Sequence, residues 1–511
     1  MPKPMLESLP TELILGIVSQ LDTVTDVVDL LRASHHVNAI CQLRLEHVLP
    51  PIIQRDIAPE AMQYALASIT VVQQCPLPAQ GNNTLGAYRE TYRVSVEHFL
   101  AEFWANGIRE SAFDTRPDRI LALAKLLARV NRFVDDYFVR TQSLIRGIAD
   151  TYNTDVPPSI SRLSLPDNAV TQGRLKMTKS ERARLQRAFF CFDFYSRCFP
   201  LRAGALHSDS QMLNTQFQCR HFMRYITPWQ VEELACIYEY LRFRLEKRIG
   251  WCEQRLFEEI IADADDQASS RLPTDNAIDI GYSFFSDFDD RLFLYSLKGK
   301  QSFHDEIACL LSCGLAFLET LVLGAPEEAR DLIRCRCARF REGFLRQAIQ
   351  QATRSHFPNT IRNQTLLVER GNMSDQALGR KEDPSAPNYG YRTLSVWPGD
   401  MIVRDFRHAA LRQSGYVFWD SDLLRVPAFD NYIKRAQARY PGSLLSGESG
   451  DWGEVSDVLP DVSGGPSVEE MLPRMPIRKE KMEEILEKYG REFRQYDHGK
   501  WREDEPVSSF P

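Results

Sequence analysis

Apolar residues recur with the spacing of an α-helix along most of this chain, and that period restricts the possible fold more than any other feature of the sequence. Trp229–Ala262 is the clearest example, because its apolar residues fall at positions i, i+3, i+4 and i+7 of one helix face. These residues are Leu234, Ile237, Tyr238, Leu241 and Leu245. Pro228 suits a first helical turn and Thr227 can cap it, so the sequence predicts a long helix that begins there.

The same period predicts further helices, at Ala58–Gln74, Tyr88–Ala105, Pro117–Thr141, Ser180–Phe199, Phe303–Leu323, Glu327–Arg354 and Pro427–Tyr440. Alternating apolar and polar residues, which indicate strands, are scarce and are limited to Arg392–Trp397 and Gly415–Trp419. We therefore expect a mostly α fold, in which a small three-helix N-terminal module precedes a large irregular helical domain and a flexible C-terminal tail.

Polar segments rich in proline and small residues divide the chain. They predict a module at residues 5–50, a helical domain at 51–440 with an internal break near 152–178, and a tail at 441–511. The tail begins with a linker, Pro441–Pro466, and continues into a charged helix after Ser467. No leucine-rich, Trp-Asp or kelch repeat is visible in the sequence.

Charge and cysteine content bound the environment of the protein. The net charge of −7 argues against nucleic acid or an anionic membrane surface as a partner. Met1–Pro10 does not have the pattern of a signal peptide, and the odd number of cysteines, 11, is typical of a reducing compartment. Glu319 interrupts the apolar stretch Ile307–Leu323, which we interpret as a buried helix. We expect a protein of the cytoplasm, the nucleus or both.

Three short amphipathic helices are predicted between Leu9 and Cys41. Pro10 opens the first helix, Thr25 caps the second, and Ser34 or His35 opens the third. Their apolar positions are Leu13, Ile14, Ile17, Val18 and Leu21, then Val27, Leu30 and Leu31, then Val37, Ile40, Cys41 and Leu45. Three helices of this size bury little surface among themselves, so the unit needs the rest of the chain or a partner to cover its apolar face.

The same stretch resembles the F-box family. The matching residues are Leu9-Pro10-Thr11-Glu12, Leu21-Asp22, Asp26-Val27, Leu30 and Ala33-Ser34, so the resemblance covers about 40 of the 511 residues. Three features depart from the family pattern. The segment between Asp22 and Asp26 is one residue longer than usual, Val37 replaces a frequent tryptophan of the third helix, and His35 stands where the family has a basic residue after the serine.

The resemblance implies a substrate-receptor subunit of an SCF-type E3 ubiquitin ligase. Such a subunit binds the adaptor Skp1, and through it a cullin, and presents a protein substrate; it is not itself an enzyme. The implied Skp1 contacts are Leu9, Pro10, Glu12, Ile14, Ile17, Leu21, Val27 and Leu30, although some of them must face the rest of this chain. The alternative is a helical scaffold or regulatory protein whose F-box-like start is only a packing module.

Other candidate sites are weaker. Arg334 and Arg341 could lie near one helix face and dock an acidic or phosphorylated substrate, although such a run is more often a solvated face paired with nearby acids. Cys309 and Cys313, and Cys191 and Cys198 within an aromatic cluster, are interpreted as core thiols rather than metal ligands. We find no credible catalytic set and predict no metal and no cofactor. Gly415–Asp420 is interpreted as a segment that seals the core, in which Trp419 needs an acceptor for its indole N–H.

Overall fold

The structure is a computed structural model that describes residues 8–42, 44–76, 85–108, 117–153, 177–200, 214–270 and 307–325, with short pieces between 328 and 352, between 385 and 391, and between 412 and 420. Of this described part, 83% is helical and none is strand, which confirms the mostly α prediction. The tail at 441–511, Pro427–Tyr440 and Arg392–Trp397 lie outside the described residues.

Four helices form the N-terminal part of the fold. They are α1 (Thr11–Ser19), α2 (Val24–Ala33), α3 (His35–Gln42) and α4 (Leu45–Asp56). The sequence predicts the first three but misses α4, whose interior contains Pro50 and Pro51. Each proline lacks an N–H but has a φ that fits a helix, so the two prolines in the middle of α4 remove hydrogen bonds without ending it. The helix α4 therefore crosses the boundary predicted at residue 50.

The helix caps agree with the sequence at one position and differ at two. Ser34 Oγ accepts the N–H of Val37 at 3.3 Å and opens α3 as predicted. The predicted cap of α2 is wrong, because Thr23, and not Thr25, accepts the N–H of Asp26. At the start of the long helix, the Thr227 N–H donates to Gln230 Oε1 at 3.0 Å, while the Thr227 hydroxyl has no hydrogen-bond partner among the described residues.

The body of the protein is built from long helices. They are α5 (Pro59–Gln74), α6 (Leu85–Asn106), α7 (Pro117–Asn153), α8 (Lys179–Cys198), α9 (Thr215–His221), a 3₁₀ turn (Met223–Tyr225) and α10 (Pro228–Ser270). The helix α5 packs along α8, and α7 packs against both. The aromatic cluster of α8 is fully buried, as predicted, and comprises Phe189, Phe190, Phe192, Phe194 and Tyr195. Most features below belong to a compact unit formed by Met1–Arg248 and Gln301–Val462.

The apolar segment before residue 325 is buried but is not one helix. It consists of a helical turn at 307–312, Leu315–Leu318 and a π-helical turn, Glu319–Leu323. Gly314 interrupts it with φ of 81°, and the N–H of Leu315 donates to the buried Asp193 carboxylate at 3.1 Å. This side-chain acceptor replaces a helical one, which explains the break. No helix in the described part of the chain is long and apolar enough to span a membrane.

The segment 412–420 is part of the core. The prediction of an extended strand at Gly415–Trp419 is wrong, because the backbone forms successive turns there. The interpretation as a core-sealing segment is confirmed, since Tyr416, Val417, Phe418 and Trp419 are at most 2% exposed. The indole N–H of Trp419 donates to the carbonyl oxygen of Ser414 at 2.6 Å, which supplies the predicted acceptor.

Candidate partner-docking site

Helix α1 exposes large apolar side chains that a self-contained fold would bury. It buries only Ile14 and Val18, whereas Leu13 is 55% exposed and Ile17 is 43% exposed. Leu13 and Ile17 lie one turn apart, and Pro10, also exposed, precedes Leu13 by three residues, so the three share one face. We call Pro10, Leu13 and Ile17 the α1 stripe.

The remaining large exposed apolar side chains of the described residues are isolated from one another in sequence. They are Val72, Val94, Val139 and Tyr225, and each belongs to a different element. Single exposed apolar residues are normal at a protein surface, but two adjacent turns of exposed Leu and Ile indicate an interaction surface. The α1 stripe is therefore the best candidate for a docking site in the N-terminal module.

The eight implied adaptor contacts divide into three groups. Pro10, Glu12 and Ile17 are exposed, and Leu9, Leu21 and Leu30 are partly exposed. Ile14 and Val27 are 0% and 1% exposed, so these two pack inside the chain and are not available to a partner in this conformation. Leu13 is not among the implied contacts, although its spacing from Pro10 and Ile17 was a signal that could have identified it.

The module is fixed to the body through Asp56, at the end of α4. Its Oδ2 accepts the backbone N–H of Val24 at 2.9 Å and the side-chain amide of Asn131, on α7, at 2.8 Å. Gln186, on α8, donates to the Asn131 side chain at 2.9 Å and to the Asp56 carbonyl at 3.0 Å. We call Asp56, Asn131 and Gln186 the Asp56 anchor, and it joins α2 and α4 to two helices of the body.

Burial dominates the electrostatics of this anchor. It raises the pKa of Asp56 above its usual range, while the hydrogen bond from Val24, the charge of Arg182 and the Asn131 amide each lower it in part. A second link is more exposed: Arg132 on α7 forms ion pairs with Asp29 on α2 at 2.7 Å and with Glu319. The module therefore has one face held by polar contacts and one face, the α1 stripe, turned outward.

Two buried ion pairs in the described residues are bidentate. Arg187 on α8 binds Glu233 on α10 at 2.5 and 3.1 Å, and Arg412 binds Glu232 at 2.7 and 2.8 Å. Burial raises the pKa of Glu233, and the neighbouring Arg187 guanidinium opposes that shift. Because these carboxylates lie fully buried and occupied by guanidinium groups, we assign them a role in holding α8, α10 and segment 412–420 together.

The other candidate residues are two arginines and four cysteines. Arg334 and Arg341 lie outside the described residues. Cys191, Cys198 and Cys309 are buried, and the Cys313 thiol lies 3.5 Å from the Cys309 carbonyl oxygen. No group of three or more His, Cys, Asp or Glu side chains is arranged to hold a metal ion within the described part of the chain.

We compared the chain with known protein families, curated proteins and solved structures. No protein-family model, no curated protein and no solved structure matches this chain.

Proposed function

We propose that this chain is a substrate-receptor subunit of an SCF-type ubiquitin ligase that docks on the adaptor Skp1 through the α1 stripe. The observation that carries the proposal is the exposed apolar face of Pro10, Leu13 and Ile17 on a helix whose other face, with Ile14 and Val18, is buried. Leu9 and Glu12, which belong to the Leu-Pro-x-Glu resemblance, flank that face and are at least partly exposed. In this role the chain carries no catalytic residues, and the cullin-bound subunits transfer ubiquitin in the cytoplasm or nucleus.

The Asp56 anchor also supports the proposal. A receptor has to hold its substrate-binding domain at a defined position relative to the adaptor. The Asp56 anchor and the Arg132–Asp29 pair link the N-terminal helices to α7 and α8 at several points. A module attached in this way transmits the orientation of the adaptor to the helical body, whereas a module on a free linker would not.

Binding of Skp1 by variants of α1 tests the proposal. We expect the full-length chain to co-purify with Skp1, and we expect Leu13→Glu and Ile17→Glu each to weaken the complex at least about tenfold. Burying an apolar side chain of this size contributes roughly 1.5–3 kcal/mol, and a carboxylate at the same place also has to be desolvated. The measurement is the Skp1 dissociation constant by calorimetry or by titrated pull-down.

A matched control separates docking from a general loss of apolar surface. Val72, on α5, is 50% exposed, between the values of Ile17 and Leu13. Val72→Glu should leave Skp1 binding unchanged. If Skp1 does not bind the intact chain, or binds all three variants alike, the proposal is wrong. The packing-module alternative, which the burial of Ile14 and Val27 favours, would then replace it.

A further inference from the structure

A second surface, at the end of α9, combines positive charge with exposed aromatic area. It consists of Arg220, His221, Arg224 and Tyr225 together with Trp104 of α6, and we call it the α9 surface. Arg220 and Arg224 are exposed, and Tyr225 is 48% exposed. None of these residues is an adaptor contact in the proposal above, since α9 and α1 are different elements of the fold.

Contacts within the chain hold the α9 surface in place. The indole N–H of Trp104 donates to the carbonyl oxygen of His221 at 3.0 Å, and the Trp104 and Tyr225 rings are stacked with centroids 5.4 Å apart. Between His221 and Tyr225 in sequence, Phe222 and Met223 are fully buried and fix the backbone to the core. A preformed surface loses little conformational entropy on binding, which favours a specific contact.

On this surface the His221 Nε2 lies 3.8 Å from a Glu97 carboxylate oxygen, and the two arginines differ from it. Arg93, on α6, is paired with Glu90 and Glu97, but Arg220 and Arg224 have no carboxylate partner among the described residues. Burial lowers the pKa of His221; Glu97 opposes that shift, and Arg220, Arg93 and Arg224 lower the pKa further. Three guanidinium groups therefore act on one imidazole, and two of them remain available to an anion.

We propose that the α9 surface binds an acidic peptide segment of another protein, in which carboxylate side chains flank an aromatic or large apolar side chain. The forked guanidinium groups of Arg220 and Arg224 suit carboxylates, and the exposed ring of Tyr225 offers apolar contact area beside them. The Arg224 guanidinium lies 5.2 Å from the centre of the Tyr225 ring, so one peptide can reach both groups.

Charge favours a peptide over other anionic partners. Nucleic acid and anionic membranes are bound by longer arrays of Lys and Arg, because each cation contributes only a small part of the affinity. Two available arginines on a chain of net charge −7 are too few for such a partner. A short acidic peptide needs only these two charges and one apolar contact. The inference does not depend on Skp1 binding.

Fluorescence anisotropy with the full-length chain tests the inference. The probe is a fluorescein-labelled peptide that repeats the unit Glu-Glu-Phe, and the comparison peptides repeat Gln-Gln-Phe and Glu-Glu-Gly. We expect the Glu-Glu-Phe peptide to bind more tightly than either comparison peptide and to bind less tightly as salt is raised, because exposed charges are screened. Labelled polyuridylate and phosphatidylserine vesicles serve as the alternative polyanions.

Variants locate the binding site. Arg220→Gln and Arg224→Gln should each weaken peptide binding about tenfold, as the loss of one charge-assisted contact predicts, and Tyr225→Ala should remove the preference for phenylalanine. Arg44, on the N-terminal module, is also exposed and has no ion pair among the described residues, so Arg44→Gln should leave binding unchanged.

Three outcomes would overturn the inference. The first is that the Glu-Glu-Phe peptide does not bind. The second is that binding survives the double substitution Arg220→Gln and Arg224→Gln. Arg220 would then only stabilise the helix dipole at the end of α9, as basic residues in a last turn do. The third is tighter binding of polyuridylate or vesicles than of the peptide. Helical circular dichroism should be retained in the variants, and Skp1 binding should be unaffected.

Discussion

At Gly415 the backbone accepts a conformation that other residues adopt only with strain. Its φ is 68°, and an added Cβ would lie 2.6 Å from the hydroxyl oxygen of Tyr137 and 3.1 Å from the indole ring of Trp419. Tyr137 is fully buried, and its hydroxyl donates to the carbonyl oxygen of Arg412 at 3.3 Å. The absence of a side chain at this position therefore lets segment 412–420 approach α7.

Replacing Gly415 should destabilise the protein strongly. Gly415→Ala adds left-handed strain and forces apart fully buried rings, for which we expect a loss of about 2–5 kcal/mol in the free energy of unfolding. Gly16 provides the control, because an added Cβ there meets nothing within 4 Å and the residue lies within α1. Gly16→Ala should stabilise the protein by about 0.5–1 kcal/mol. Urea unfolding followed by circular dichroism measures both, and equal effects would contradict this account.

At the scale of elements, the Asp56 anchor sets how α2 and α4 meet the body. The Asp56 carboxylate accepts the N–H of Val24, the first residue of α2, and so supplies a cap that comes from another helix. The Asn131 amide, from α7, donates to the same oxygen. One buried carboxylate thus links three helices, so a single substitution of Asp56 removes contacts of all three.

Removing this carboxylate should cost more than removing an exposed one that links the same elements. Asp56→Ala leaves two buried donors without their acceptor, and we expect a loss of about 2–4 kcal/mol in stability and faster hydrogen exchange of the α2 amides. Asp29, which pairs with Arg132 of α7, has a side chain that is 55% exposed. Asp29→Ala should cost less than about 1 kcal/mol. If the two variants behaved alike, Asp56 would not be the anchor.

At the scale of the whole molecule, the C-terminal segment 412–420 completes the core of a body built mainly from residues before 251. Arg412 and Glu232, separated by 180 residues, form a pair in which both side chains are 2% exposed. Arg184 on α8 adds hydrogen bonds to the Phe418 carbonyl oxygen at 2.8 Å and to Asp420 at 2.9 Å. These contacts are formed only when distant parts of the chain meet.

A double substitution shows whether stability depends on the charges of Arg412 and Glu232 or only on each of them having a partner. Arg412→Met leaves Glu232 buried without its guanidinium, and we expect a loss of about 3–5 kcal/mol in the free energy of unfolding. Adding Glu232→Met should restore most of that loss, because a buried apolar pair of similar volume is about as stable as a buried ion pair. The measurement is a double-mutant cycle by urea unfolding. A double variant no more stable than the single one would show that the charges themselves are required.

Local patterns in the sequence predicted much of the fold. The helical class, most helix positions and the opening of α3 by Ser34 follow from periodicity and capping, which act within a few residues. The failures have identifiable causes. Local propensity argues against helix α4, because Pro50 and Pro51 lie in its interior. Near Gly314, the N–H of Leu315 donates to Asp193, which is far away in sequence.

Periodicity in the sequence was enough to predict that this protein is mostly helical, whereas the F-box resemblance of its first helices and the Skp1 binding that it implies stay predictions. Which apolar residues of the first two helices face outward depends on tertiary packing. Ile14 and Val27 are buried and Leu13 is exposed, although all three are alike in hydropathy. The reason is physical: periodicity is a property of neighbouring residues, whereas burial depends on which distant helices pack against a face.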